Sequence, residues 1–229
     1  LVKSLGTVLL PRMSYYIEKG EKEQYTNLLS KSFNFILVLS IPLTVFFMLF
    51  SKDCLVFISG SDYAAAGLSM QLIMPTIICI GFSSTIESQI MIPYLKENVV
   101  CFAVWVSAIV DFILNLFLIP KFGAAGASFA TLIAEATSMS IQFYYARDEI
   151  LPALKKIKVI KIVGAIAITM VVVYFISCLH ISNLFILLCV NAIAFFGAYF
   201  VVLLLFKEKF TYDIFISIFN RGKKDVTHE

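Results

Sequence analysis

Residues 99–119, VVCFAVWVSAIVDFILNLFLI, form a run of 21 residues in which Asp111 is the only charged side chain. A helix crosses the hydrocarbon core of a bilayer, roughly 30 Å thick, in about 20 residues. This run therefore predicts a membrane-spanning helix. The rest of the chain agrees, because 60% of its 229 residues are hydrophobic, only 14% are charged, and the mean hydropathy is +0.93. That composition excludes a water-soluble enzyme, a disordered chain and a disulfide-rich secreted module.

Five further segments are long and apolar enough to span a membrane. The six predicted spans are residues 32–50, 67–95, 99–119, 124–146, 159–179 and 184–206. Pro42 and Pro75 fall inside two spans and predict either a break or a harmless bend. The last two spans carry little polar content, so residues 159–206 are predicted to form an extra, lipid-facing hairpin with a turn at 180–183. Residues 1–11 read as the end of a preceding span, which predicts that the chain is the C-terminal part of a longer protein.

The connections between spans form two sets with very different charge. Residues 12–31, the turn at 96–98, the linker 147–158 running on to Lys161, and the tail 207–229 hold fifteen lysines and arginines. The opposite set holds only Lys52 and Lys121. Positive charge accumulates on the cytoplasmic side, so the first set, including the C-terminus, is predicted to be cytoplasmic. Residues 147–158 and 210–224 mix apolar with basic side chains, which fits either a solvated linker or a helix lying on the inner leaflet.

No pattern in the chain predicts catalysis, a cofactor or a metal site. The five cysteines are scattered without CxxC spacing, and His180 and His228 alone cannot hold a metal ion. Asp53 and Asp62 lie in an outer segment too short for a sugar-nucleotide site. The lysines alone give no support for nucleic-acid binding. The protein is therefore not expected to be an enzyme.

Three consecutive spans each carry one acidic side chain on a polar face. Ser83 and Ser84 precede Glu87; Ser107 and Asn115 flank Asp111; Ser128, Thr131, Ser138 and Gln142 flank Glu135, all at helical spacing. An ionisable group in the bilayer centre costs at least about 2.5 to 3.5 kcal/mol, so it needs a partner or a wet cavity. We expect the three faces to converge on a cavity for substrate or ions, although a structural interhelical hydrogen bond explains each acid equally well. The predicted pathway residues are Glu87, Asp111, Asn115, Glu135 and Gln142.

Three motifs resemble a known family of transporters. They are residues 9–14 (LLPRMS) followed by a polar loop with Gly20, residues 92–97 (IPYLKE) and residues 118–128 (LIPKFGAAGAS). Together they resemble bacterial polysaccharide flippases of the Wzx type, in the MOP superfamily that also contains the MATE multidrug exporters and the lipid II flippase. The resemblance covers roughly residues 5–145, and the terminal hairpin fits the variants with two extra helices.

The resemblance implies an all-α, multi-spanning transmembrane helix bundle: the C-terminal lobe of a two-lobed, alternating-access transporter, plus a terminal hairpin. The implied task is to move undecaprenyl-pyrophosphate-linked oligosaccharide across the bacterial plasma (inner) membrane for capsule, O-antigen or exopolysaccharide synthesis. The implied partners are the lipid-linked oligosaccharide, membrane lipids, H⁺ or Na⁺ as coupling ion, and the polysaccharide polymerase and chain-length machinery, with no cofactor and no nucleic acid. Arg12, at the cytoplasmic mouth, is either a gate residue or a topology anchor.

Other functions remain open at this stage. With the same fold, the protein can be a MATE-like multidrug exporter or a lipid II flippase. A non-transporting scaffold for glycan assembly is a different class, in which neutral substitutions of the three acids would be silent. A membrane glycan polymerase is disfavoured because the sequence has no large outer loop.

Overall fold

The computed structural model describes residues 2–177, 183–206, 208 and 211. Within these residues the protein is helical without a strand, and five helical segments are long and apolar enough to cross a membrane. The prediction of an all-α, multi-spanning membrane bundle is thereby confirmed. The chain forms two compact units, Leu1–Ile157 and Lys158–Glu229. Most of the predicted turn at 180–183 and of the cytoplasmic tail 207–229 lies outside the described residues.

The first unit is a succession of helices with very short connections. Its elements are α1 (Val2–Glu18), α2 (Lys22–Leu49), α3 (Ser51–Ser59), a 3₁₀ turn (Ser61–Ala66), α4 (Gly67–Ile73), α5 (Thr76–Ile86), a π-helical turn (Glu87–Met91), α6 (Glu97–Tyr145) and α7 (Arg147–Lys155). Residues 12–31, predicted as a loop, are helical except around Gly20. This glycine has a φ of +70°, and the backbone N–H of Glu21 donates to the carbonyl of Tyr16 (2.9 Å) across the end of α1. Gly20 thus closes the helix with a Schellman-type cap.

The two prolines have different effects on their helices. Pro42 lies inside the continuous helix α2, whereas Pro75 separates α4 from α5. Proline offers no backbone N–H to the preceding turn, and threonine hydroxyls supply donors around the break. Thr44 donates to the carbonyl of Met74 (3.4 Å), and Thr76 donates to the carbonyl three residues before it (2.6 Å). The break at Pro75 is therefore stabilised by Thr44 of the neighbouring helix α2 and by Thr76, the first residue of α5.

Helix α6 is a helical hairpin. A straight helix of its 49 residues would measure about 73 Å, more than twice the hydrocarbon thickness. At Gly123 the backbone instead has a φ of +54° and a ψ of −130°, values that glycine adopts without strain. The chain turns so sharply that a Cβ placed on Gly126 would overlap the carbonyl group of Leu118. We call residues 97–122 the first arm of α6 and residues 124–145 its second arm.

The second unit contains two helices, α8 (Val159–Ser177) and α9 (Leu184–Leu205). The side chain of Asn183 caps α9, because its Oδ1 accepts hydrogen bonds from the backbone N–H groups of Phe185 (3.0 Å) and Ile186 (3.3 Å). Near the start of α8, the ammonium group of Lys161 donates to the carbonyl of Phe206, directly after α9. The start of one helix thus meets the end of the other, so the pair is antiparallel.

An apolar core of the first unit lies where α1, α2, the π-helical turn and α7 meet. We call this core the basal cluster. Its buried members are Met13, Tyr16, Tyr25, Leu29, Phe33, Ile86, Ile90, Met91, Ala146, Ile150 and Ala153. Ile150 and Ala153 of α7 are fully buried in it, and the Lys156 ammonium donates to Oδ1 of Asn27 at the start of α2 (2.7 Å). Residues 147–155 therefore form a packed helix, and a solvated linker, one of the two alternatives that the sequence left open, does not describe them.

Candidate functional site

The two arms of α6 bring Asp111 and Glu135 together. Each residue lies twelve positions from Gly123, so the two are at the same height, about 18 Å from the turn and near the middle of a membrane core. In a straight helix they would be about 36 Å apart. In the folded hairpin the two carboxylates are close enough to repel each other electrostatically. The hairpin turn therefore creates a pair of acids that are distant in sequence.

The surroundings of this acid pair are short of hydrogen-bond donors. Oδ1 of Asp111 and Oδ1 of Asn115 are both shielded from solvent and accept no hydrogen bond from the described residues. From α5, the thiol of Cys79 lies within electrostatic range of Glu135. Two like charges in apolar surroundings are unfavourable unless a proton, a cation or a donor group joins them. The arrangement can therefore accept a proton or a cation, or bind the hydroxyl groups of a ligand.

The polar stripe on the second arm faces inward over most of its length. Ser128, Ser138 and Gln142 are buried, and Glu135 is partly exposed. The Gln142 side chain donates to the hydroxyl of Ser138 (3.2 Å), while its Oε1 accepts no hydrogen bond from the described residues. Gln142 is seven residues from Glu135, which is about 10 Å along the helix. Gln142 therefore belongs to the same stripe but to a different level of the bundle.

Glu87, the third predicted acid, lies apart from the pair. It is exposed and begins the π-helical turn that follows α5. Cys79, which is near Glu135, precedes Glu87 by eight residues, or about 12 Å of helix. The structure thus brings Asp111 and Glu135 together, keeps Asn115 on the face of Asp111, and places Glu87 nearer the basal cluster.

The π-helical turn contains a buried hydrogen bond that sequence analysis missed. Pro93 has no N–H, so the carbonyl of Gln89 lacks the donor that an α-helix would supply. The next candidate, the N–H of Tyr94, instead bonds to the carbonyl of Ile90 (3.0 Å). The hydroxyl of Tyr25, from α2, donates to the Gln89 carbonyl at 3.1 Å. Pro93 was visible in the sequence as a helix-ending signal, but the residue that satisfies the freed carbonyl is 64 positions away.

Cations next to the basal cluster stack on tyrosine rings. The pairs, with the distance from cation to ring centre, are Arg12 with Tyr16 (5.7 Å), Lys96 with Tyr94 (5.6 Å) and Arg147 with Tyr144 (5.1 Å). The Arg12 Nε also donates to the hydroxyl of Tyr16 (2.9 Å). Because Tyr16 is in the basal cluster and Tyr94 packs against it, Arg12 and Lys96 lie beside this cluster. Arg12, the predicted gate residue, is exposed.

Among the residues the structure describes, no group of three or more His, Cys, Asp or Glu side chains is arranged to hold a metal ion. The acid pair offers two carboxylates only.

The sequence matches the family model described as "Lipid II flippase MurJ" over residues 1–196. It is 26% identical, over 196 residues and 86% of its length, to an uncharacterized membrane protein of Methanocaldococcus jannaschii. It is also 26% identical, over 149 residues and 62% of its length, to the probable low-salt glycan biosynthesis flippase Agl15 of Haloferax volcanii. The chain spans 38% and 30% of the lengths of these two relatives.

Proposed function

The chain belongs to the family of the lipid II flippase MurJ, and from this premise we propose that it forms part of a flippase for a lipid-linked oligosaccharide. This family consists of flippases rather than enzymes, as the sequence predicted. Membership of this family also confirms that the chain belongs to the MOP superfamily. The narrower resemblance to Wzx-type polysaccharide flippases still depends on the three sequence motifs alone.

A flippase must provide a polar path for a headgroup that hydrocarbon excludes. A sugar-pyrophosphate headgroup cannot cross the membrane core unaided, whereas its lipid tail can remain among the acyl chains. The observation that supports the proposal is the acid pair Asp111–Glu135, with Asn115 beside it, at mid-membrane depth. These oxygens are acceptors for sugar hydroxyls. A single proton or Na⁺ bound between the carboxylates between substrate cycles would lower their combined charge from −2 to −1 and so relieve their repulsion, coupling transport to an ion gradient.

The proposed substrate is an undecaprenyl-pyrophosphate-linked oligosaccharide, moved from the cytoplasmic to the outer leaflet of the plasma membrane for polymerisation into a surface glycan. The Haloferax volcanii relative, a probable flippase of glycan biosynthesis, supports this choice. Lipid II is the second candidate, because the matched family is named for it. The charge asymmetry of the connections supports a cytoplasmic C-terminus, and Arg12 on that side is a candidate gate residue. A polymerase and its chain-length partner are the expected consumers of the product.

Transfer across liposomes tests this proposal. The full-length protein is reconstituted, and movement of a lipid-linked oligosaccharide or lipid II from a protected to an exposed leaflet is measured with and without a proton or sodium gradient. We expect transfer by the unmodified protein and at least a tenfold loss in the double variant Asp111→Asn/Glu135→Gln. Preference for one of the two lipids decides between the substrates.

A second double variant provides the control. Glu18→Gln/Asp62→Asn also removes two negative charges, but at exposed positions outside α6. This variant should transfer lipid at the rate of the unmodified protein. Equal loss in both variants would show that net charge, not the acid pair, governs transport. Efflux of dyes without transfer of any lipid-linked sugar would assign the protein to the multidrug exporters and reject the flippase proposal.

A further inference from the structure

Helix α7 carries two distinct faces. One is buried in the basal cluster through Ile150 and Ala153. On an adjacent flank lie Arg147, Leu151 and Lys155, all exposed and spaced four residues apart, which places them in one stripe along the helix. Leu151, in the middle of this stripe, exposes 47% of its surface. The stripe therefore presents an apolar side chain between two cations.

The position of α7 in the chain places it at the membrane–water boundary. A single residue, 146, separates it from α6, and residues 156–158 separate it from α8. Both of those helices are long and apolar enough to cross a membrane. A nine-residue helix joined to the end of α6 by a single residue must begin at the height where that span ends.

The cations at this end are only weakly engaged by carboxylates. Within residues 8–157 the structure contains one ion pair, Arg147 with Asp148 at 3.7 Å, and these side chains are 55% and 88% exposed. Exposed pairs of this kind contribute little energy. Asp148 is the acid closest to the stripe, and Arg147 also stacks on the ring of Tyr144. Stacking leaves the N–H groups at the edge of the guanidinium available to an anion.

We propose that the stripe Arg147–Leu151–Lys155 binds anionic glycerophospholipid. In this arrangement α7 lies in the headgroup layer, its two cations contact lipid phosphates, and Leu151 enters the acyl-chain boundary. Tyr144 lies at the interface, where tyrosine is enriched in membrane proteins. A free phosphate ion would satisfy the cations but would leave Leu151 in water, so the stripe fits a lipid surface better. The inference does not depend on the transported substrate.

Quenching of a single tryptophan by brominated lipids tests the proposal. Leu151→Trp is introduced into the full-length protein with Trp105 and any other tryptophan changed to Phe. The protein is then reconstituted with brominated phosphatidylglycerol or brominated phosphatidylcholine at equal mole fraction. We expect both lipids to quench Trp fluorescence. The binding constant for phosphatidylglycerol should be at least about fivefold higher than that for phosphatidylcholine, which is the effect expected of one interfacial cation.

The charge variants determine whether the stripe causes this preference. In Arg147→Gln/Lys155→Gln the ratio of the phosphatidylglycerol to the phosphatidylcholine binding constant should fall to about one. Each single variant should give an intermediate ratio. The control Lys52→Gln/Lys121→Gln removes two charges from the opposite connections and should keep the full ratio. Equal quenching by both lipids when Arg147 and Lys155 are intact, no quenching by either lipid, or a preference that survives Arg147→Gln/Lys155→Gln would each overturn the proposal. None of these readouts requires transport.

Discussion

Removing the Tyr25 hydroxyl should loosen the π-helical turn without changing the packing around it. Tyr25→Phe keeps the ring and its edge-to-face contact with Tyr94 (6.0 Å between ring centres), but it removes the donor to the Gln89 carbonyl. Tyr25 is 5% exposed and Gln89 is 1% exposed, so water cannot readily replace the hydroxyl. A buried carbonyl left without a donor costs about 1 to 3 kcal/mol, which corresponds to about a 5- to 150-fold larger opening constant.

Hydrogen exchange measures this opening directly. We expect backbone amides of residues 87–96 in Tyr25→Phe to exchange faster by the same factor, while amides in the middle of α9 remain unchanged. Tyr94→Phe is the matched control, because it removes a hydroxyl from the other ring of the pair, for which the structure shows no hydrogen bond. Exchange in the Tyr94→Phe protein should stay within about twofold of the unmodified rate.

Restoring the missing backbone donor gives a sharper test. Pro93→Ala supplies an N–H that can bond to the Gln89 carbonyl, so Tyr25→Phe should have a much smaller effect in that background. If the effect of Tyr25→Phe is the same with proline or alanine at position 93, or no larger than that of Tyr94→Phe, the explanation of this turn is wrong.

Three further predictions concern the stability of other parts. Gly126→Ala places a Cβ against the backbone of the opposite arm and should lower the free energy of unfolding by more than Gly123→Ala, as measured by denaturation in detergent. The φ of +54° and ψ of −130° at position 123 cost a non-glycine residue about 1 to 3 kcal/mol. Ile150→Ala should cost about 2 to 5 kcal/mol because the side chain is fully buried, whereas the exposed Leu151→Ala should change stability by less than about 1 kcal/mol in the same measurement. Asn183→Ala should cost about 1 kcal/mol and speed hydrogen exchange in the first turn of α9 only.

The sequence predicts the helical class well because the physics of a membrane span is local. A run such as residues 99–119 needs no partner to be recognised, since length and apolar character alone determine that it can cross hydrocarbon. Spacing of polar residues along one helix is local too, and it predicts the polar faces that carry Asp111 and Glu135. Their proximity also follows from the hairpin, once Gly123 is known to turn the chain.

Features that depend on tertiary partners could not be predicted in this way. The burial of Ile150 and Ala153 depends on side chains from α1, α2 and the π-helical turn, so residues 147–158 looked like a charged linker. The π-helical turn has a local trigger in Pro93, but the donor that stabilises it comes from another helix. The expected convergence of Glu87 with the other two acids also depends on tertiary packing and stays a prediction. Equal polarity of three faces does not fix their depth along the bundle.

The hairpin in α6 also restricts how the length of this segment can change. Because Asp111 and Glu135 lie twelve residues on either side of Gly123, inserting or deleting one residue in either arm would move one acid by about 1.5 Å and rotate it by about 100° about its helix axis. The face that now points towards its partner would then point elsewhere. Point substitutions at apolar positions between the two acids change packing only, whereas insertions and deletions break their alignment. Related chains that keep both acids should therefore keep the length of this interval and its two turn glycines, Gly123 and Gly126, while the apolar residues between the acids vary.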